Sequence, residues 1–298
     1  MSATLVILAA GLGSRYKGLK QVDSFGPSGE QLFDYTVYDA IRAGFDQVVF
    51  VIRKAFSVDF EQSVNRKFAH KIDVRFVYQE LDNLPEGCTP VPGREKPWGT
   101  GHALWVTKDV VSSPFCMVNA DDFYGGKAIK QMHDLLQTFE PGEMNAGMVG
   151  YLLDDTLSDF GSVSRGICDI ERGNLNGIEE HTQIEKKEDQ IISVREEGEY
   201  VLPPDTIVSM NLMGFSPAVY SLMEEMFKAF YYESKHQLKA EFYAPQILKE
   251  LIDRGVQVPV TATDSSWFGV TYPEDKAEVQ RNIQKRIQEG EYPAQLWE

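Results

Sequence analysis

TLVILAAGLGSRYKGLKQ, residues 4–21, decides how the rest of the chain is read. Small and branched apolar side chains run to Ala10 and break into a glycine-rich turn. The turn carries Arg15, Lys17 and Lys20, with no acidic residue before Asp23. A short, near-continuous apolar run is what a strand buried on both faces requires. It has no basic flank before it and is too short for a secretion signal, so it reads as a first strand. Glycine lets backbone N–H groups approach an anion closely. A guanidinium can fork two phosphate oxygens, and an ammonium acts as a point charge. A locally positive loop on a chain of formal net charge −16 therefore points to a small anionic ligand. A basic turn that merely contains glycines is the plainer reading of the same residues. Two phosphate-binding templates do not fit. G-x-G-x-x-G fails at Tyr16. In G-x-x-x-x-G-K-[ST], Gly13 and Gly18 are spaced correctly, but Leu19 follows and the lysine comes one residue late.

Working outward, similar apolar runs recur as QVVFVI (47–52), DVRFVYQ (73–79), PFCMVNA (114–120) and AGMVGYLL (146–153). Helical periodicity lies between them. FDYTVYDAIRAG (33–44) puts Phe33, Val37 and Ile41 on one face and stops at Gly44. Residues 126–139 form a second helix with a stripe of Ile129, Met132, Leu135 and Leu136. The alternation predicts a Rossmann-like α/β fold, its mixed, mostly parallel sheet flanked by helices. Residues 179–199 hold eight acidic side chains and read as a solvated hairpin or lid at the sheet edge. Thr271-Tyr-Pro-Glu274 has the capping-box form and predicts a final helix with Val279, Ile283 and Ile287 inward. One domain over 1–298 is expected. Its halves would be 1–125 and 126–270, with 271–298 as a C-terminal helix.

The chain has 298 residues, 43% hydrophobic and 25% charged, which suits a globular protein. With 29 Lys and Arg against 45 Asp and Glu, no basic face serves a nucleic acid. No apolar run approaches the ~18 residues of a membrane span. Cys88, Cys116 and Cys168 are odd in number and lack metal-like spacing, so reduced thiols in a cytoplasmic protein are expected. No repeat is present, which removes an appended β-helix. A homo-oligomer is compatible with all of this.

The opening stretch resembles the L-A-x-G-x-G-[ST]-R…K start of the sugar-1-phosphate nucleotidyltransferases. That family includes glucose-1-phosphate thymidylyltransferase, UDP-glucose pyrophosphorylase and N-acetylglucosamine-1-phosphate uridylyltransferase. The resemblance implies a nucleotide-diphospho-sugar transferase type of fold. It places Arg15 on the β- and γ-phosphates of an NTP and Lys20 near the α-phosphate, as the catalytic residues. It places Ala10, Gly11 and Gly13 against the nucleotide through their backbone. DVRFVYQE and KPWGTGHAL resemble the family's Q…G-T-x-x-A-L pair, which implies that Gln79, Gly99 and Thr100 hold the base. Gly99–Thr100 also reads as a helix cap, and His102 as a packing residue.

PFCMVNADDFYG (114–125) ends a strand with two carboxylates. Ligands of α/β sheets gather at the carboxyl ends of strands, and Mg²⁺ takes one or two protein carboxylates plus phosphates. The family pattern makes Asp121 the Mg²⁺ ligand, with Asp122 beside it or touching the acceptor sugar. The same residues also suit a turn that caps the next helix. FGSVSRGICDIERGNLNGIEE (160–180) resembles the family's sugar-binding stretch, which implies roles for Gly161 and Glu180. The lysine usual after that glutamate is His181 here, leaving Lys186 or Lys187 as substitutes. SMNLMGF (209–215) and LKAEFYAP (238–245) add Asn211 and Glu241 to the acceptor side. In TDSSWFGVTYPED (263–275), Gly269 stands where relatives carry a second metal-binding aspartate, and Asp264 is the alternative ligand.

The activity implied is transfer of a nucleotidyl group from an NTP to a sugar-1-phosphate, giving an NDP-sugar and pyrophosphate. Attack is in line on the α-phosphorus and Mg²⁺ assists. A non-catalytic sensor of nucleotides on the same fold is one rival. A cytidylyltransferase acting on a non-sugar phosphate such as phosphocholine is another.

Overall fold

The computed structural model describes residues 2–11, 24–195, 198–270, 272 and 274–297. Its first half alternates strand and helix. β1 (Thr4–Leu8) is followed by α1 (Leu32–Ala43), β2 (Gln47–Ile52), α2 (Ser57–Phe68), β3 (Asp73–Tyr78), α3 (Thr100–Trp105), β4 (Phe115–Asn119), the short β5 (Asp122–Phe123) and α4 (Gly126–Leu136). The second half is richer in strands: β6 (Ala146–Leu152), β7 (Val163–Glu171), β8 (Asn174–Lys187), β9 (Gln190–Arg195), β10 (Gly198–Leu202) and β11 (Ile207–Phe215). Then come α5 (Tyr220–Ser234), α6 (Ala244–Asp253), β12 (Val260–Thr263), β13 (Phe268–Gly269) and α7 (Asp275–Gln288).

The main sheet runs β10-β9-β8-β7-β11-β4-β1-β2-β3, with β6 also on β11 and β12 on β6. This is the mixed α/β architecture expected, but the sheet is not mostly parallel: the strands of the second half turn back on one another and add antiparallel pairs that outnumber the parallel ones. β1 pairs in parallel with β2 and β4, β2 with β3, and β12 with β6. The strands from β11 outward to β10 pair antiparallel. Alternate residues of the parallel strands face different cores. Leu5, Ile7, Val48, Phe50, Ile52 and Val118 pack with α1, α2 and α4. Val6, Val49, Val51, Phe115 and Met117 pack with α3, α5 and α6. Burial on both faces explains why these strands read as continuous apolar runs. Each such side chain contributes about 1.5–3 kcal/mol of burial.

α1 stops where the sequence predicts. Gly44 takes a left-handed φ of 108°, and its N–H reaches the Ala40 and Ile41 carbonyls. α4 ends at Leu136, earlier than the periodicity suggests, with Ile129, Met132 and Leu136 buried. The acidic stretch forms β8, β9 and β10 at the sheet edge. α7 starts at Asp275, later than the capping-box pattern predicts. Asp275 Oδ2 accepts the Tyr272 N–H (2.7 Å) and Oδ1 accepts the Ser158 hydroxyl (3.0 Å); Thr271 and Pro273 lie outside the described residues. Val279 and Ile283 are buried beneath α7 and Ile287 packs against them. No helix among the described residues is long and apolar enough to cross a membrane.

Register sets the position of the site. Leu8 lies opposite both Val51 and Asn119, and Ile52 opposite Tyr78. The parallel strands therefore end at one level. The segments that leave β1, β2, β3 and β4 emerge together at their carboxyl edge, where α/β sheets bind ligands.

Candidate active site

A cleft of about 1500 Å³ opens along that edge. One small ligand usually fills about 300–1,000 Å³, so the cleft has room for two. Ala10, Gly11, Gln79, Gly99, Thr100, Asp121, Asp122, Glu180, Asn211 and Glu241 all line it. Gly13, Arg15 and Lys20 lie outside the described residues.

Gln79 leaves β3 buried and tightly held. Its Nε2 donates to the Gly99 carbonyl (2.8 Å) and lies 3.3 Å from His102 Nδ1. His102 is fully buried, with Nε2 2.7 Å from the Asn83 carbonyl. Burial pushes its pKa down to about 4, so the ring is neutral and packs, as expected, while also orienting Gln79. Gly99 caps α3 with φ 101°. A Cβ there would meet the Phe242 carbonyl at 2.4 Å, so the position requires glycine. The Thr100 hydroxyl accepts the Ala244 N–H (2.9 Å), which ties α3 to the start of α6.

The carboxylates stand in the middle. Ala120 N–H donates to the Leu8 carbonyl (3.2 Å), which sets Asp121 beside the segment leaving β1. Asp122 accepts from Asn119 Nδ2 (2.9 Å), and the Tyr124 hydroxyl lies 3.3 Å from its Oδ2. Burial, then the neighbouring charge of Asp121, raises the Asp122 pKa to about 7. Gly269 on β13 is directly opposite Asp122 on β5. A Cβ at Gly269 would lie 2.5 Å from Asp122 Oδ1. The Asp122 carboxylate thus fills the space a side chain at Gly269 would need.

The other side of the cleft is built from antiparallel strands. β11 pairs with β6 and β7 at one end and with β6 and β4 at the other, and its register shifts between Ser209 and Met213. Asn211, inside this bulge, has a left-handed φ of 64°. Bulges re-aim side chains, and such strain collects at functional sites. Glu241 pairs with Lys96 and accepts the Tyr243 hydroxyl (2.9 Å). Glu180 projects from β8; desolvation raises its pKa and the Arg165 charge opposes that.

Arg165, to which the sequence assigned no role, is the buried cation of this half among the described residues, only 7% exposed. Its Nε donates to the Thr156 hydroxyl (3.1 Å), Nη1 to the Ser164 carbonyl (2.7 Å) and Nη2 to the Thr156 carbonyl. The guanidinium lies 4.9 Å from the centre of the Trp267 ring. Desolvation lowers its pKa to about 10, against the opposing charges of Asp122, Glu180 and Asp275. The signal in the sequence was a basic residue at an inward position of a strand, two residues after the buried Val163. Arg53, Trp267 and Tyr272 also line the cleft and were missed.

Four expectations place differently. Gly161 does not line the cleft; a Cβ on it would meet the Tyr272 hydroxyl at 2.6 Å, so it sits behind that ring. Asp264 points out to solvent, its side chain 73% exposed and paired with Lys127. The turn after β12 instead brings Ser265 inward, where its hydroxyl donates to the Tyr124 carbonyl (3.1 Å). Lys186 pairs with Asp154, and Lys187 with Glu185 and Glu199, so neither reaches the cleft. His181 is buried, with Nδ1 2.8 Å from the Ser193 hydroxyl.

The nucleotidyl transferase family model matches residues 4–286. No curated protein matches the sequence. Three solved structures share the fold at low identity. An inositol-1-phosphate CTP transferase from T. maritima is 16% identical, with TM-score 0.61 over 95% of this chain and 97% of that one. A putative glucose-1-phosphate thymidylyltransferase from Bacillus anthracis, in complex with a sucrose, is 13% identical, with TM-score 0.62 over 95% and 96%. A UDP-glucose pyrophosphorylase complexed with UDP-glucose is 16% identical, with TM-score 0.62 over 96% and 100%.

Proposed function

Because the chain belongs to the nucleotidyl transferase family, we propose that it transfers a nucleotidyl group from an NTP to a sugar-1-phosphate, releasing pyrophosphate. An oxygen of the sugar phosphate forms the new bond to the α-phosphorus, and the bond to the β-phosphate oxygen breaks. The nucleophile is already an anion, so no base has to remove a proton. The work left to the protein is to align two anions and offset their charge. One observation carries the reading. A single cleft joins Gln79 and Gly99 at one end to Glu180 and Asn211 at the other. In sheet order, Asp121 at the end of β4 lies between them.

On the nucleotide side, Ala10 and Gly11 offer backbone close to the phosphates, and the role proposed for Arg15 and Lys20 is to grip them. On the acceptor side, Glu180, Asn211 and Glu241 offer oxygen and amide groups suited to sugar hydroxyls. Inositol-1-phosphate and glucose-1-phosphate, named for two of the similar structures, are both polyhydroxylated phosphates.

Asp121 and Asp122 fit a hard divalent cation. They are adjacent oxygen donors, burial and then the charge of Asp121 raise the Asp122 pKa, and Mg²⁺ characteristically takes one or two protein carboxylates. When bound there, Mg²⁺ would neutralise charge on the phosphate oxygens.

The test is a matrix of NTPs against sugar-1-phosphates, with phosphocholine included and pyrophosphate measured. Release that needs both an NTP and a sugar-1-phosphate is the expected result. Tight NTP binding without release from any pair would replace the transferase with a sensor. Release only with CTP and phosphocholine would replace the sugar.

A further inference from the structure

We propose that Arg94 is a positioning residue: it clasps two cleft-lining loops together and thereby fixes the carboxylate of Glu241. This rests on the nucleotidyl-transfer reading, in which Glu241 serves the acceptor, and adds to it a residue that lies behind the cleft.

Two connections meet at this wall. Residues 79–99 join β3 to α3, residues 235–243 join α5 to α6, and neither forms helix or strand. Connections as long as the first, without structure of their own, are uncommon and are usually functional or loose. Glu95, Lys96 and Pro97 of the first line the cleft, as do Leu238 and Glu241 of the second. Arg94 is 5% exposed and does not itself line the cleft. Its Nη2 donates to the Pro97 carbonyl (3.0 Å) in its own loop and to the Ala240 carbonyl (2.5 Å) in the other. Its Nη1 donates to the Gln237 carbonyl (3.4 Å). The guanidinium lies 3.6 Å from the centre of the Trp98 ring. Trp98 is fully buried, and its Nε1 donates to the Leu81 carbonyl (3.1 Å).

Every hydrogen-bond partner of this guanidinium among the described residues is a backbone carbonyl, and its Nε is buried without one. A buried cation is a costly way to fill space. What it offers over an apolar side chain is a planar fork that reaches two chain segments at once. The effect falls on Glu241. The residue before it is held by Arg94 at the Ala240 carbonyl. The residue after it is held where the Phe242 N–H donates to the Trp98 carbonyl (2.8 Å). Glu241 thus hangs between two anchors, both set in the connection from β3 to α3. Its side chain then pairs with Lys96 and accepts the Tyr243 hydroxyl (2.9 Å). Loss of the fork frees one anchor. Trp98 keeps its packing against Phe227 and Tyr231, each 5.7 Å away between ring centres.

The experiment has two arms, on full-length variants shown to be folded by circular dichroism and melting. The first measures amide hydrogen exchange with no ligand present. Arg94→Met should speed exchange across 237–242 by at least about tenfold and leave β1, β2 and β4 unchanged. Unchanged exchange at 237–242 overturns the clasp. The second measures steady-state kinetics with the NTP and sugar-1-phosphate that release the most pyrophosphate. Arg94→Met should raise the acceptor KM by about tenfold, with kcat and the NTP KM within about twofold. Arg94→Lys keeps the charge but not the fork and should fall between. Full recovery by lysine would show that charge alone suffices and overturn the clasp, as would an equal rise in both KM values. In a Glu241→Gln chain, Arg94→Met should add less than about twofold, because the two residues act as one. Additive losses would separate Arg94 from Glu241 and overturn the proposal. If no pair releases pyrophosphate, the transferase reading falls, and the exchange arm alone decides the clasp.

Discussion

The two ends of the cleft are built in different ways. At the end proposed for the nucleotide, parallel strands stop at one level and the residues just past their ends line the cleft: Ala10 and Gly11, Arg53, Gln79, Asp121. At the end proposed for the acceptor, antiparallel strands run along the cleft and the lining residues come from within them: Arg165 on β7, Glu180 on β8, Asn211 in the β11 bulge. A strand end is a generic site, since any chain leaving the sheet passes the ligand. A strand interior serves only if register and bulge aim the chosen side chain. The nucleotide end should therefore tolerate loss of single contacts more evenly, whereas the acceptor end should concentrate its effect in few residues.

Arg165 gives the largest expected effect and the sharpest test of that contrast. Its guanidinium is the buried positive charge facing Asp122 and Glu180, and it meets no acidic partner within ion-pair distance among the described residues. The proposed sugar-phosphate acceptor would bring a negative charge to a wall that carries the carboxylates of Asp122 and Glu180. Charge-assisted hydrogen bonds are worth about 1.5–3 kcal/mol, so Arg165→Met should lower kcat/KM for the acceptor by about 10–100-fold. The KM for the NTP should stay within about twofold on the same scale. Arg165→Lys keeps the charge without the fork and should fall between. An equal rise in both KM values would show that Arg165 shapes the whole cleft, and the proposed division between its ends would fail.

The same contrast explains what the sequence made legible. Strand ends come with local punctuation. Gly11 after β1, the glutamine after β3 and the Asp pair after β4 stand beside plain apolar runs, and all of these line the cleft. Glycine at 44 marks the end of α1 for the same local reason. Strand interiors carry no such mark. The role of Arg165 depends on which face of β7 turns toward the cleft. The bulge at Asn211 exists because β11 must serve different neighbours at its two ends. Asp264 looked close enough to serve the carboxylates. One residue of turn geometry sends it out to Lys127 and brings Ser265 in. The exchange between Asp122 and Gly269 joins positions far apart in the chain and becomes visible only once β5 and β13 are paired.

Asn211 separates backbone from side chain at the acceptor end. Left-handed backbone costs roughly 1–2 kcal/mol for most residues, least for glycine and asparagine. Asn211→Ala should lose about that much stability and also the amide. Asn211→Gly should keep the backbone relaxed and lose only the amide. Comparing melting midpoints with acceptor KM assigns the two contributions. If the glycine variant retains the full acceptor KM, Asn211 is a turn residue and the bulge aims something else.

The smallest effects concern pH, where buried groups on the two sides of the sheet should give opposite slopes. His102 has its folded pKa lowered to about 4 from 6.5 by burial. Its contribution is present above 6.5 and is lost as pH falls through about 4, because the unfolded chain takes up the proton first. Asp39 is a buried residue of α1 with the Tyr292 hydroxyl 2.7 Å from its Oδ2, and burial raises its pKa from 3.8 to about 7. Glu291 adds to that rise, while Arg42 and Arg286 oppose it. Its contribution is present below 3.8 and is lost as pH rises through about 7, because the unfolded chain gives up the proton first. Melting temperatures from pH 4.5 to 8 should show the difference. Asp39→Asn should gain on the parent by several degrees at pH 8 and lose that advantage toward pH 4.5. His102→Gln should be most costly at pH 8 and least costly at pH 4.5, since it removes the group whose protonation destabilises the acid end. Parallel profiles for parent and both variants would mean that neither group keeps its shifted pKa in the folded chain.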